Sequence, residues 1–204
     1  MGLETATLIT GALTDVESAR DYLALDSDQH DPWLTVLINE ATGLIERRTR
    51  RRLKSRTYDG QGSNPAAFVL DGTGSSEIIL PEWPATALSS ARYRDANDLN
   101  TALSIVSVRF SAGGIVVLPN DVFPRGFQNI EIKATAGYLA GTHDSEIAAL
   151  EHACKRLVQV LYQDWKEKIG RGTGITIQGL SVQFINKPLP ADVEAIVSDF
   201  RRIL

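Results

Sequence analysis

The sequence predicts an α+β protein: a small helical bundle of two N-terminal helices and one long helix, with an inserted antiparallel β region and an extended C-terminal tail. Apolar residues recur at steps of three and four before residue 56 and again after residue 142, which is the helical period. Residues 57–138, by contrast, carry short apolar runs and hold eight of the 16 glycines and five of the eight prolines. The helices on both sides of this region are expected to pack together, because each has one apolar face to bury.

The N-terminal segment is predicted to be an arm followed by a short helix. Residues 1–13 show no periodicity and are interpreted as the arm. The helix is predicted over 14–25, because Thr14 followed three residues later by Glu17 is the pattern of a capping box.

The second helix is predicted over 32–52. Asp31 is typical of an N-cap and Pro32 of a first helical position. The apolar residues that follow lie three and four apart: Trp33, Leu34, Leu37, Ile38, Ala41, Leu44 and Ile45. The helix is expected to run on into a group of arginines, which the helix dipole favours near a C-terminus.

The middle of the chain is predicted to form strands. The predicted strands lie near 67–70, 77–80, 87–94, 104–110, 115–118 and 129–136. Gly113-Gly114 indicates a hairpin between two of them. Within 130–136, apolar and polar residues alternate as in a half-buried antiparallel strand.

Helical spacing returns in a long helix predicted over 143–169. Its apolar residues are Ile147, Leu150, Cys154, Leu157, Leu161 and Trp165, and three spaced glycines end it: Gly170, Gly172 and Gly174. The core of the bundle is predicted to consist of Leu34, Leu37, Ile38, Leu44, Ile45, Leu150, Leu157 and Leu161. Two short strands are then predicted at 175–178 and 180–184, turning about Gly179. A last short helix carries Val193, Ile196, Val197 and Phe200.

The composition excludes several classes of protein. A hydrophobic fraction of 43% and a charged fraction of 23% are ordinary for a globular chain of 204 residues. A single cysteine excludes a disulfide scaffold or a multi-cysteine zinc site. There is no apolar run of membrane-spanning length, and residues 1–5 do not resemble a signal peptide, so we expect cytoplasmic synthesis and no membrane contact.

The residues that usually carry catalysis are not arranged for it. The three histidines have no metal-ligand spacing and are predicted to be solvated: His30, His143 and His152. Cys154 falls on the apolar face of the long helix, where a thiol acts as a small hydrophobic group. The aspartates at 26–31 lack the glycine and glutamate of a calcium loop, and the glycine-rich loops do not precede a helix as a phosphate cradle requires. We therefore predict no enzyme activity, no cofactor and no metal.

A cluster of basic residues is the most distinctive feature. The net charge is −4, yet seven of the 21 basic residues lie within Arg47–Arg56. One interpretation is a solvated helix end; the other is a contact surface for phosphate or for an acidic protein. Proteins that stack on single-stranded nucleic acid usually carry aromatic residues among the basic ones. This cluster contains no aromatic residue.

Several segments, taken in order, resemble the head–tail connector, or head-completion adaptor, proteins of tailed bacteriophages, prophages and gene transfer agents. The resemblance covers about 13–204, although most of 87–140 agrees only in character. Its segments are Leu13-Thr14-Asp15-Val16-Glu17, Leu37-Ile38-Asn39-Glu40-Ala41, Ile45 to Arg51, Tyr58-Asp59-Gly60, Ile79 to Thr86, Gly179 to Phe184, Leu189 to Glu194 and Phe200-Arg201-Arg202.

The resemblance implies a structural virion protein. Such proteins form a ring, usually of twelve subunits, beneath the portal of the DNA-filled head; the ring extends the DNA channel and offers a docking surface to the stopper or tail. It implies as partners other copies of the chain, the portal and the stopper or tail proteins, with transient, non-specific contact with duplex DNA, a part in DNA packaging and a place in the virion. It also implies one connector domain over 1–204, comprising the arm 1–13, a helical core 14–56 and 142–169, a β insertion 57–138 and the tail 170–204.

Two groups of residues are predicted to make the contacts. Arg47, Arg48, Arg51 and Arg52 are expected at a subunit boundary or facing the channel. Ile175, Ile177, Leu180, Val182 and Phe184 are too apolar for a solvated linker and are expected to dock on the portal or a neighbouring subunit. The alternative function is a stand-alone nucleic-acid-binding protein that uses Arg47–Arg56.

Overall fold

The computed structural model describes residues 6–94, 100–111, 113–170 and 189–201. It divides into two compact units, one formed by Met1–Arg51 with His143–Leu204 and the other by Arg52–Thr142. The first is helical and the second is built of strands, which confirms the predicted α+β class. That both belong to one connector domain stays a prediction.

The described residues of the helical unit form four α-helices: α1 (Val16–Tyr22), α2 (Asp31–Thr49), α3 (Asp144–Gly170) and α4 (Ala191–Asp199). α2 packs against α1 and α3, and α4 packs against α2 and α3. The predicted core is confirmed except at Leu44, which is half-buried, and its buried members are Leu34, Leu37, Ile38, Ile45, Leu150, Leu157 and Leu161. The periodicity therefore located the faces on which these helices pack.

The ends of the first two helices differ from the prediction. α1 is capped by Asp15, whose carboxylate accepts a hydrogen bond from the Ser18 amide at 2.7 Å, and not by Thr14, which is buried. It ends at Tyr22, and Ala24 has a left-handed backbone that no helix can contain. In α2, Asp31 is the first helical residue rather than the cap.

The predicted arm lies against α2 in its described part. Residues 6–13 contain no helix or strand, but Leu13 is buried and its amide donates to Thr42 Oγ1. The Asn39 side chain accepts from the Ile9 amide and donates to the Thr7 carbonyl. This segment is therefore part of the helical unit, because α2 supplies polar partners for its backbone.

In the β unit, the residues that the structure describes form eight strands in two antiparallel sheets. They are β1 (Arg56–Tyr58), β2 (Phe68–Gly72), β3 (Glu77–Ile79), β4 (Ala85–Arg94), β5 (Asn100–Ala102), β6 (Arg109–Phe110), β7 (Ile115–Val117) and β8 (Gly126–Ala136). The larger sheet has the order β1-β8-β4-β5, with β2 also pairing with β8, and the smaller has the order β3-β7-β6. β6 and β7 pair across Gly113-Gly114, which confirms the predicted hairpin.

The strand pattern was right in most places and wrong in three. β1 and β5 were not predicted, and the strand predicted over 104–110 is instead the short β6 preceded by an irregular segment. The Asp121 carboxylate accepts from the Ser104 amide at 2.8 Å, and Ser107 has a left-handed backbone, so a continuous ladder cannot form there.

The core of the β unit lies on one face of β8. The alternation predicted for 130–136 is confirmed, since the apolar residues of that stretch are buried and the polar ones are half-buried. Phe123 is fully buried in the same cluster.

Gly43→Ala is expected to stabilise the helical unit. Gly43 lies within α2, and a Cβ built there meets no atom within 4 Å. Because glycine inside a helix costs about 0.5–1 kcal/mol relative to alanine, the free energy of unfolding should rise by about that amount. Urea unfolding of both proteins measures it; a lower midpoint for the variant contradicts the expectation.

Candidate interaction surfaces

The basic cluster is divided by the end of α2. Arg47 and Arg48 lie in its last turn, and Arg50 closes the helix with φ 59° and ψ 32°, a left-handed conformation. The helix therefore ends at Thr49 and not at 52 as predicted. The remaining basic residues follow in irregular backbone and in β1.

Arg48 is bound to the C-terminal helix α4. Its Nε donates to both carboxylate oxygens of Glu194 at 3.0 and 3.1 Å, and its Nη2 donates to Oε1 at 2.8 Å. This hydrogen bonding raises the pKa of Arg48, although its side chain is 52% exposed. Such a forked contact fixes geometry as well as charge.

Arg51 lies inside its own subunit. Only 4% of the residue is exposed, and its Nε donates to the Phe200 carbonyl at 3.0 Å. The carbonyls at a helix end need donors, and Arg51 supplies one just beyond α4. Arg51 is thus a structural residue of the helical unit. A position at a subunit boundary or facing the channel stays a prediction for Arg47, Arg48, Arg51 and Arg52.

A second ion pair holds the start of α4. Arg156 Nε, on α3, donates to Asp192 Oδ2 at 2.7 Å, and this hydrogen bond lowers the pKa of Asp192. Val193 and Val197 are buried on the other side of α4. The described end of the predicted tail, 189–201, therefore packs on its own helical unit. Sequence reasoning missed these pairs, because no local pattern joins residues 146 positions apart.

Arg47 and Arg50 differ from Arg48 and Arg51 in the contacts of their side chains. Both are exposed, and within the described chain neither side chain forms an ion pair or a hydrogen bond. Arg52 is exposed too, and its amide donates to Glu82 Oε2 at 2.9 Å. The structure thus separates Arg48 and Arg51, which bind groups of the same subunit, from Arg47 and Arg50, whose side chains form no ion pair or hydrogen bond in the described chain.

Arg50→Gly is expected to keep or slightly raise the stability. A left-handed backbone costs a residue with a side chain roughly 1–2 kcal/mol, and glycine avoids this cost. Glycine also raises the conformational entropy of the unfolded chain, which offsets part of the gain in stability. The free energy of unfolding should therefore change by about 0 to +1 kcal/mol. Thermal and urea unfolding measure it. A clear loss would mean that the Arg50 side chain contributes to the fold.

An aromatic cluster joins the second and third helices. The His30 ring lies edge-on to Tyr162 and Trp165 at 5.7 and 6.0 Å, and Trp33 lies 5.1 Å from Trp165. His30 is half-buried there, so the prediction of a solvated histidine was wrong at this position. The Tyr162 hydroxyl is buried and has no hydrogen-bond partner among the described residues, and burial raises its pKa. Edge-on and tilted ring contacts account for this cluster.

In the described part of the β unit, one large aromatic side chain is strongly exposed, and it lies at the start of β8. Phe127 is 80% exposed. The Asn129 side chain accepts from the Gly72 amide and donates to the Pro124 carbonyl, both at 2.9 Å, while Asp71 accepts from the Gln128 amide. An exposed aromatic group on rigid backbone is typical of a protein contact.

Phe127→Ala is expected to leave the stability within about 0.5 kcal/mol of the parent, because a side chain that is already in water loses no burial on truncation. Chemical unfolding followed by circular dichroism checks this. A loss above about 1 kcal/mol would mean that the ring is covered within the subunit.

The remaining predicted contact residues cannot be placed: Ile175, Ile177, Leu180, Val182 and Phe184 lie outside the described residues. In the parts of the chain that the structure describes, no group of three or more His, Cys, Asp or Glu residues is arranged to hold a metal. None of the helices described combines the length and apolarity needed to span a bilayer. Cys154 is buried, with its Sγ 3.9 Å from Thr42 Oγ1.

Comparison with known proteins identifies relatives of this fold. The family model described as head completion protein matches residues 12–203. Among curated proteins, none matches significantly. A solved structure of the neck of an empty gene transfer agent particle, computed with C6 symmetry, contains a chain that is 22% identical with a TM-score of 0.63, and the alignment covers 100% of this chain and 98% of that one.

Two further solved structures are similar. A chain in the virion of a native gene transfer agent particle is 21% identical with a TM-score of 0.60, covering 98% of this chain and 96% of that one. A chain in the neck of the native particle, computed with C12 symmetry, is 20% identical with a TM-score of 0.56, covering 100% and 98%. At these identities the likeness concerns the fold.

Proposed function

Because this chain belongs to the head completion protein family, we propose that it is a structural protein of a tailed, phage-like particle and acts where the head joins the tail. The match over residues 12–203 is the observation that carries this function, since it spans both the helical and the β unit. We propose a structural role rather than an enzymatic one. The features described on the surface are ion pairs within the subunit and exposed side chains such as Phe127, which suit contact with another protein.

We further propose that the protein forms a ring beneath the portal and extends the DNA channel, with twelve copies in the ring. The similar chains come from particle necks computed with C6 and C12 symmetry, and a ring of twelve is compatible with both. The portal lies on one side of this ring and the stopper or tail proteins on the other. The protein is made in the host cytoplasm and functions in the virion.

The charge of the chain suits a channel through which DNA must pass. A protein that grips duplex DNA neutralises phosphates with many basic residues and binds strongly. This chain has a net charge of −4, and the structure commits Arg48 and Arg51 to contacts within the subunit. Contact with DNA in the channel would then be transient and independent of sequence.

The second candidate function is nucleic-acid binding by the basic cluster. The exposed side chains of Arg47 and Arg50 favour it, because they are free to reach phosphates. Two such residues per subunit supply few of the contacts that a stand-alone binding protein needs.

The test is to image purified protein, alone and mixed with its portal, by electron microscopy. The proposal expects rings seated on the portal and restoration of tail attachment when the protein is added to heads that lack it. Sequence-specific binding to duplex DNA at physiological salt, with no ring on the portal, would support the nucleic-acid function instead. A gel shift against random competitor DNA provides that measurement.

The tail is proposed to dock on the portal or a neighbouring subunit through residues 175–184. Truncation after Lys168 would also remove α4, which the helical unit needs for its ion pairs and buried valines. Leu180→Asp with Phe184→Asp tests docking without that loss. The double variant should fold normally but fail to join portal-bearing heads; normal attachment would exclude this segment as the docking element.

A further inference from the structure

Two exposed arginines at one end of α2, Arg47 and Arg50, form no ion pair and no side-chain hydrogen bond in the described chain. The fold uses their neighbours, Arg48 through Glu194 and Arg51 through the Phe200 carbonyl. Arg47 and Arg50 have no such role in the described chain. The helix dipole favours cations only within the last turn, and Arg50 lies beyond it in a conformation that glycine adopts more easily. Neither its packing nor its backbone explains an arginine there.

A surface of opposite charge lies near the other end of α2. Residues 15–31 hold six acidic residues and one arginine, Arg20, which donates through Nε and Nη2 to the Asp31 carboxylate. Four carboxylates remain exposed and have no ion pair or side-chain hydrogen bond in the described chain: Glu17, Asp21, Asp26 and Asp28. Glu17 and Asp21 are four residues apart and share one side of α1.

Arg50 and Asp28 cannot pair with each other within one subunit, because they lie at opposite ends of α2. The helix has 19 residues, and at 1.5 Å per residue it separates its ends by about 28 Å, several times the reach of a salt bridge. Asp28 lies three residues before the helix and Arg50 directly follows it. A salt-bridge partner for either residue therefore does not come from the opposite end of α2, and another copy of the chain can supply one.

We propose that Arg47 and Arg50 of one copy bind the exposed carboxylates of residues 17–28 in the next copy. The proposal rests on the ring described above and adds to it the identity of two contacting surfaces. A ring built head to tail requires two different, complementary faces on each subunit. One charged surface at each end of α2 satisfies that requirement, and it matches arginine with carboxylate, its preferred partner.

Charge reversal with rescue tests the contact. Variant A carries Arg47→Glu and Arg50→Glu, and variant B carries Glu17→Lys and Asp21→Lys. Ring formation is measured by sedimentation and electron microscopy. Each variant by itself should associate at least about tenfold more weakly than the parent, since like charges then face each other. An equal mixture should form rings again, because alternating A and B restores opposite charges at every contact.

The control is a matched reversal elsewhere. Arg109→Glu with Arg125→Glu makes the same change of charge at two exposed positions in the β unit and should leave rings unaffected. Arg47→Ala with Arg50→Gly provides a second variant without added charge, which should fold and still weaken association about threefold or more.

Two results overturn the proposal. One is that variant A forms rings like the parent but loses affinity for duplex DNA, which makes DNA the anionic partner. The other is that A and B each lose rings and the mixture does not recover them. If the parent protein forms no ring with or without portal, the ring itself is refuted, so the two failures are distinguishable.

Discussion

Leu157→Ala is expected to lower the free energy of unfolding by about 2–5 kcal/mol, which is usual when a buried leucine is truncated and its cavity stays open. Leu157 is 3% exposed on α3, which contacts the three other described helices of the helical unit, as α2 also does. For the structure to collapse into the cavity, several helices that pack against α3 would therefore have to move. Urea unfolding followed by circular dichroism at 222 nm measures the loss.

The control for this variant is Gln163→Ala on the same helix. Gln163 is exposed, so its replacement removes side-chain atoms from α3 without opening a cavity. Its effect should stay within about 0.5 kcal/mol. If Leu157→Ala also costs less than about 0.5 kcal/mol, this face of α3 is not part of the core.

Gly72→Ala is expected to destabilise the β unit by about 3 kcal/mol or more, which is at or above the usual cost of an overpacked site. The cost is high because the new methyl group would clash with backbone atoms, which cannot rotate away as a side chain can. A Cβ at Gly72 would lie 1.7 Å from the Pro124 carbonyl oxygen and 2.9 Å from Asn129 Oδ1. Relief of that clash would break the hydrogen bonds of Asn129 to the Gly72 amide and the Pro124 carbonyl.

Gly113→Ala provides the matched control in the same unit. A Cβ there meets only Ser111 Oγ, at 3.9 Å, and its backbone is not left-handed. Its stability should stay within about 0.5 kcal/mol of the parent. Amide hydrogen exchange in β2 and β8 should rise in Gly72→Ala but not in Gly113→Ala. Equal protection in the two variants would contradict the close approach at Gly72.

The packing of α4 changes what the tail can do. The apolar segment proposed to dock, 175–184, is joined at both ends to helices of the same unit, α3 before it and α4 after it. Arg48–Glu194 and Arg156–Asp192 fix α4 by charge, and Val193 fixes it by burial. The segment that is proposed to bind a partner is therefore attached to the subunit at both ends. Its docking should cost less conformational entropy than the docking of a segment attached at one end.

The periodic part of the fold was predictable from the sequence. Steps of three and four located α2 and α3 and the faces on which they pack, and alternation located the buried side of β8. Both patterns are repeated by many residues and arise from local geometry, so one unusual residue does not hide them. The ordered segments from Leu13 to Arg202 likewise predicted the family that the comparison confirms.

The use of each arginine was decided by the tertiary structure. Nothing local distinguishes Arg48 and Arg51 from Arg47 and Arg50, because all four stand in one basic run. Arg48 meets Glu194 and Arg51 meets the Phe200 carbonyl only because α4 returns to α2 across nearly 150 residues of chain. Charge attracts any opposite charge nearby, and which groups come near is set by packing rather than by spacing in the sequence. The sequence alone therefore determined that a basic cluster exists, and the folded chain determined which of its residues bind groups within the subunit.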